Sequence, residues 1–126
     1  MTASAQKPDF SGDWRLNRQA STLSPLAAAY QSAVKRIDHR EPTFRCQATY
    51  VAADGKPVEY SFELRSDGPG LRWDGDALAS TFVTQNGELT ISFRYDLEEG
   101  GRRLRATEQL RGAGRDQDNE WVYERG

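Results

Sequence analysis

The chain has one histidine, His39, set in Ile37-Asp38-His39-Arg40-Glu41-Pro42. An imidazole between acids could serve as a general base or hold a metal or haem. A base needs a nucleophile or an oriented partner, and a metal needs further ligands at fitting spacing. The sequence supplies neither, so no cofactor and no metal site is expected. His39 alternates with Ile37 and reads as a strand-end histidine hydrogen-bonded to a loop. Glu108 is the other group that could move a proton. It alternates with Ala106 and Leu110, and an acid carried into an apolar interior acquires a raised pKa. Cys46, the only cysteine, cannot form an intramolecular disulfide and reads as a small buried hydrophobe beside Phe44 and Ala48. The fold therefore does not depend on an oxidising compartment. Arg102, Arg103, Arg105, Arg111 and Arg115 could draw an anion, but Glu98, Glu99, Asp116 and Asp118 stand among them. Such mixed charge is the ordinary pattern of a solvated surface.

The stronger signal is aromatic. Tyr60, Phe62, Trp73, Phe82, Phe93, Tyr95, Trp121 and Tyr123 are the candidates for lining a ligand cavity. The competing expectation is a barrel filled by its own side chains.

These residues need elements to hold them, and the punctuation is that of antiparallel hairpins. Asp54-Gly55, Asp74-Gly75, Asn86-Gly87 and Gly100-Gly101 mark turns. Between them apolar and polar residues alternate with period two. Val58, Tyr60, Phe62 and Leu64 share one face, as do Leu89, Ile91, Phe93, Tyr95 and Leu97; Leu104, Ala106 and Leu110; and Phe44, Cys46, Ala48 and Tyr50. One apolar face per strand predicts an antiparallel sheet wrapped around a core. Strands are predicted near 10–16, 33–40, 43–52, 57–65, 70–74, 77–85, 88–97, 102–110 and 118–125. Sequential hairpins favour an all-β, up-and-down antiparallel barrel of about 8–10 strands, which leaves no exposed edge. Ser24 as N-cap, Pro25 at the first turn and the alanines that follow predict a short helix over 24–33, between the first two strands and capping a barrel mouth.

Composition sets the outer bounds. Hydrophobic residues make up 37%, charged residues 29%, and the net charge is −2. Interspersed charges argue against a nucleic-acid binder, and no apolar run approaches the roughly 18 residues of a membrane span. The organisation expected is a disordered tail over 1–9 and one domain over 10–126, a monomer. Ala3-Ser4-Ala5 has the small-residue pattern of a signal-peptidase site. It reads either as an exported protein whose leader has been removed or as an ordinary N-terminus of a cytoplasmic one.

Phe10-Ser11-Gly12-Asp13-Trp14-Arg15-Leu16, ahead of a helix and a meander of strands, resembles the calycin superfamily of lipocalins and intracellular fatty-acid-binding proteins. Trp121-Val122-Tyr123-Glu124-Arg125 is similar to the last strand of the latter. Arg72-Trp73-Asp74-Gly75-Asp76 resembles a stretch of small bacterial lipocalin-like proteins. The resemblance implies a barrel whose floor Trp14 closes, with Arg125 as the base that could stack on it. It also implies a non-enzymatic role, carrying or sequestering a small hydrophobic ligand. Two departures qualify this. There is room for one helix rather than a helical lid, and Trp121 stands where fatty-acid-binding proteins place an Arg two residues before the Tyr to hold a carboxylate. Arg105 could substitute only if it turned inward, against its strand's alternation. The expected ligand is therefore apolar or weakly polar and uncharged. The other readings are an interaction module with a filled barrel, and a small isomerase using Glu108.

Overall fold

A computed structural model describes residues 8–25, 27–84, 86–112, 114 and 116–125. The N-terminal tail to residue 7, the proposed leader scar at 3–5, the end of the strand predicted to reach 85, and Arg115 lie outside the described residues.

Among the described residues nine strands form: β1 (Gly12–Leu16), β2 (Tyr30–Arg40), β3 (Thr43–Ala52), β4 (Pro57–Arg65), β5 (Arg72–Asp74), β6 (Ala77–Val83), β7 (Thr90–Glu98), β8 (Arg103–Arg111) and β9 (Gln117–Arg125). All belong to one antiparallel sheet in the order β4-β3-β2-β1-β9-β8-β7-β6-β5. The predicted turn dipeptides fall between these strands, and period-two alternation selects the inner face. Ala33, Ile37, Phe44, Cys46, Ala48, Leu104, Ala106 and Trp121 are buried in one core cluster. β1 pairs on one side with β2 and on the other with the final strand, Trp14 opposite Arg125 and Leu16 opposite Tyr123, so the two ends of the chain meet inside the curled sheet. Its two edges, β4 and β5, are consecutive in the chain and are not neighbours in the sheet. β5 covers β6 only along Ala77–Ala79, so the outer half of β6 faces β4 across an opening.

The predicted helix over 24–33 does not form. Residues Ala27–Ala29 make a single 3₁₀ turn, and β2 already begins at Tyr30, opposite Ala52. At its start Ala28 N–H donates to Ser24 C=O (2.8 Å). The groups expected to cap a helix are engaged by β9 instead: Ser24 N–H donates to Asn119 Oδ1 (2.7 Å), and Ser24 Oγ lies 2.5 Å from Gln117 Oε1. A helix this short is marginal by itself, and the long β2–β3 ladder takes its residues. The segment does reach the mouth, where Ala27 and Tyr30 line the cavity described below.

Candidate ligand-binding cavity

The two ends of the curled sheet differ in how completely they are filled. At the closed end Trp14 is 1% exposed. Its Nε1–H donates to Phe10 C=O, and the Arg125 guanidinium lies 4.2 Å from its ring centroid. Arg125 is held there by donating to Ser11 C=O (2.7 Å) and Gly101 C=O (3.1 Å). Gly12 makes the arrangement possible. Its φ of 142° suits glycine, and a Cβ there would collide with the Arg125 guanidinium.

Beside this plug lies a satisfied polar group. Phe10 N–H donates to His39 Nδ1, which places the imidazole proton on Nε2, 2.6 Å from Glu41 Oε2. Glu41 Oε1 accepts from Trp73 Nε1–H (2.9 Å) and Ser66 Oγ–H (2.8 Å). Partial burial raises the Glu41 pKa, but the donors Trp73, His39 and Ser66 more than reverse this and leave it below the ordinary carboxylate range. His39 is thus the loop-bonded histidine that its position suggests. Among the described residues no group of three or more His, Cys, Asp or Glu is placed to hold a metal.

Above this floor the sheet encloses a cavity of about 800 Å³, within the range of small-molecule sites. Six of the eight aromatic candidates line it: Tyr60, Phe62, Phe82, Phe93, Tyr95 and Trp121. The other two stand elsewhere. Trp73, on the short strand β5, packs into the floor against His39 (5.8 Å between centroids) and Phe10 (6.1 Å). Its bond to Glu41 turns it away from the cavity. Tyr123, fully buried, lies beneath the cavity wall.

Sequence reasoning missed two lining residues and one buried lysine that does not itself line the cavity. Tyr30 lines the mouth, having been assigned to the helix. Tyr50 lines the wall, its ring stacked 5.6 Å from Tyr60 with the two hydroxyls 3.0 Å apart. The third is Lys35. It is 2% exposed inside the sheet, its Nζ 3.5 Å from Tyr60 Oη and 5.5–5.9 Å from the ring centroids of Tyr123, Tyr95 and Tyr60. The signal was available, because Lys35 alternates in phase with Ala33, Ile37 and His39. Lysine is so rarely fully buried that the alternation is easily discounted.

Burial opposes the Lys35 charge, while the surrounding phenols Tyr123, Tyr95, Tyr50 and Tyr60 outweigh it and hold the ammonium above its ordinary range. The phenols are shifted in turn: burial pushes Tyr95 up to about 12 and raises Tyr60 and Tyr123 as well. Among the described residues no carboxylate pairs with Lys35, and the buried Tyr123 hydroxyl lies against that of Tyr50, which adds to its upward shift.

Towards the mouth, Glu108 Oε1 accepts from Trp121 Nε1–H and Asn119 Nδ2–H, both at 3.0 Å. Arg105 points outward as its alternation requires, paired with Glu98 (2.8 Å) and with Glu120. Arg103 pairs with Glu124 and Arg111 with Asp118, while Arg102 donates to the Glu99 carbonyl, so most of the described arginines of that cluster are matched by acids on the surface. Cys46 is buried between Phe44 and Ala48, and burial raises its thiol pKa.

No family model and no curated protein matches the sequence. Solved structures do. Secretory abundant heat soluble protein 4 from Ramazzottius varieornatus superposes with a TM-score of 0.63 at 16% identity, covering 98% of this chain and 99% of its own. A point mutant of the fluorescent protein UnaG gives 0.62 at 13% identity, covering 93% and 96%. Rv2717c from M. tuberculosis gives 0.54 at 20% identity, covering 93% and 92%. The fold is therefore a calycin-like antiparallel β-barrel, matched over nearly its whole length.

Proposed function

We propose that this protein binds a small, largely apolar molecule within its barrel, as a carrier or sequestering protein and without chemical turnover. The observation that carries this reading is the cavity itself: about 800 Å³ walled by Phe62, Phe82, Phe93, Ile91, Leu110 and a set of tyrosines. A barrel filled by its own side chains would leave no such volume, and that weighs against a purely structural module. Apolar walls with a few placed polar groups are what ligand pockets generally present. The carboxylate on the wall, Glu108, accepts bonds from Trp121 and Asn119, an arrangement that orients the two donors rather than offering a base to a substrate. Native mass spectrometry of protein purified from a cell lysate tests the reading. A stoichiometric small-molecule adduct, lost on mild activation, is the expected result. Absence of any adduct, together with failure to take up a neutral apolar fluorophore, overturns it.

A further inference from the structure

The cavity wall carries one carboxylate, and no cation neutralises it. Among the described lining residues Glu108 is the only charged group. Register sets its place: on β8 it lies opposite Phe93 of β7 on one side and Asn119 of β9 on the other. Its Oε1 is seated by Trp121 Nε1–H and Asn119 Nδ2–H, both at 3.0 Å. Those donors are themselves fixed. Asn119 is buried, its amide also bonded to Gln117 Oε1 and to Ser24 N–H. The Trp121 indole packs edge-on against Tyr50, 5.4 Å between centroids. Among the described residues no donor reaches Oε2 and no cation pairs with the group. The arginines Arg94, Arg105 and Arg111 of β7 and β8 pair with acids on the outer face, and Lys35 is packed against Tyr60, Tyr95 and Tyr123 instead. An ionised carboxylate has about four lone-pair sites, and neutral donors do not cancel its charge. That charge is felt along the wall, where it adds to the upward shift of Tyr95.

We propose that Glu108, seated by Trp121 and Asn119, receives the protonated amine of an amphipathic ligand whose apolar body fills the deeper part of the cavity. This rests on the reading of the cavity as a small-molecule site and names the chemical class that the site takes. It narrows the largely apolar ligand of that reading to one with a cationic head. A carboxylate held rigid among rings suits an organic cation twice over. Its free oxygen accepts a charge-assisted hydrogen bond from the ammonium, and the faces of Trp121 and Phe93 attract the same positive charge. No proton moves and no bond is made, because the amine arrives protonated. The two charges inside the sheet also fix the ligand's direction. Lys35, behind the tyrosines at the base, repels a cationic head, while Glu108 draws it to the mouth side, so the body lies towards Tyr60, Phe62 and Tyr95. Pairing then neutralises a carboxylate that the protein leaves unpaired in mostly apolar surroundings, where an unpaired charge is costly.

The test compares dodecylamine, dodecanol and dodecanoic acid, which share a chain and differ in head group, as competitors of a neutral apolar fluorophore. For the wild-type protein at neutral pH and moderate salt the amine is expected to bind about tenfold tighter than the alcohol or more, and the acid no tighter than the alcohol. In Glu108→Gln, which keeps the shape of the side chain, the amine is expected to fall to the affinity of the alcohol, with the alcohol unchanged. A second measurement needs no variant and decides the matter if Glu108→Gln does not fold. In the wild-type complex, nuclear Overhauser contacts from the methylene beside the nitrogen are expected to the rings of Trp121 and Phe93. Contacts from that methylene to Tyr60 and Phe62 instead overturn the proposal, as does a preference for the amine that survives Glu108→Gln. Equal affinity of amine and alcohol for the wild type, or tightest binding of the acid, also overturns it and leaves the cavity reading standing. If neither the fluorophore nor any of the three binds, the cavity reading fails and takes this proposal with it.

Discussion

The floor and the cavity base of this barrel are built from the same residue types, aromatics around a basic side chain, and end in opposite states. At the floor, Arg125 lies on Trp14 and gives hydrogen bonds to two backbone carbonyls, while His39, Glu41, Ser66 and Trp73 complete one another. At the cavity base, where Tyr50, Tyr60 and Tyr95 line a volume that the protein leaves empty of side chains, the buried Lys35 stands among Tyr60, Tyr95 and Tyr123 with one hydroxyl contact and, among the described residues, no acid. On the proposed reading, the difference separates the region that carries stability from the region that carries binding. A closed set of donors and acceptors rigidifies, whereas an open one has capacity for a ligand. It follows that substitutions in the floor act mainly on stability and substitutions around the cavity mainly on affinity.

The largest effect is expected at Trp14. Its side chain is essentially absent from the surface, and Trp14→Ala should cost about 3–5 kcal/mol, read as a large fall in thermal midpoint. A variant that melts with the wild type would show that the floor is not what holds the barrel closed.

Alkaline pH should strike the other region. Tyr95 stays protonated to about pH 12 in the folded protein against an ordinary value of 10.0, so the unfolded chain loses this proton first as pH rises. The folded state then binds more protons than the unfolded one, and stability falls across that interval. For Tyr95 alone the loss is on the order of 2–3 kcal/mol by pH 12, with Tyr60 and Tyr123 shifted in the same direction. Thermal midpoints should hold steady up to about pH 9 and drop above 10, with phenolate absorbance from these residues appearing only on unfolding. Complete phenolate titration near pH 10 in a protein that stays folded would place them in solvent.

Much of this division was legible in the sequence, and the parts that were not share a cause. Strict alternation in Phe44–Tyr50 and Val58–Leu64 located β3 and β4: in β3 the apolar face is buried and leaves the register little freedom, whereas in β4 it lines the cavity. Gly12 and Trp14 pointed to the floor through their resemblance to the first strand of calycins, a glycine that lets the strand bend ahead of a large ring. What escaped was set by contacts distant in sequence. The alanines after Ser24 carry helix propensity, yet Asn119 and Gln117 hold Ser24 to β9 and β3 draws Tyr30 into a ladder. Trp73 reads as one aromatic among many until Glu41, on another hairpin, fixes its indole. Lys35 alternates inward plainly enough, but what makes its burial tolerable comes from three other strands, β4, β7 and β9.

A smaller effect should come from Gly12→Ala. The backbone at φ 142° and the overlying Arg125 guanidinium both oppose a Cβ, and a strained non-glycine residue costs about 1–3 kcal/mol. Arg125→Ala should relieve part of that cost, because it removes the atoms the methyl group meets and leaves only the dihedral strain. A double-mutant cycle checks this: coupling close to zero would mean that the dihedral alone makes glycine necessary.

The smallest change in stability, and the sharpest contrast with Trp14, is expected at Phe82. Its side chain is 64% exposed, yet it lines the cavity from the outer half of β6, where β5 gives no cover and Val58 of β4 stands exposed as well. A ring so placed contributes little to the packed core, and Phe82→Ala should shift stability by no more than about 0.5 kcal/mol. A ligand in the cavity would cover part of that ring, and the apolar area it removes from water is worth about 0.5–1.5 kcal/mol, a roughly two- to tenfold loss of affinity in the alanine variant. Thermal melts and probe titrations on one preparation read both quantities. A large drop in melting temperature would make Phe82 part of the core and weaken the distinction between the two regions. An unchanged affinity would confine the bound ligand to the deeper part of the cavity, around Tyr50, Tyr60 and Tyr95, away from the opening between β4 and β6.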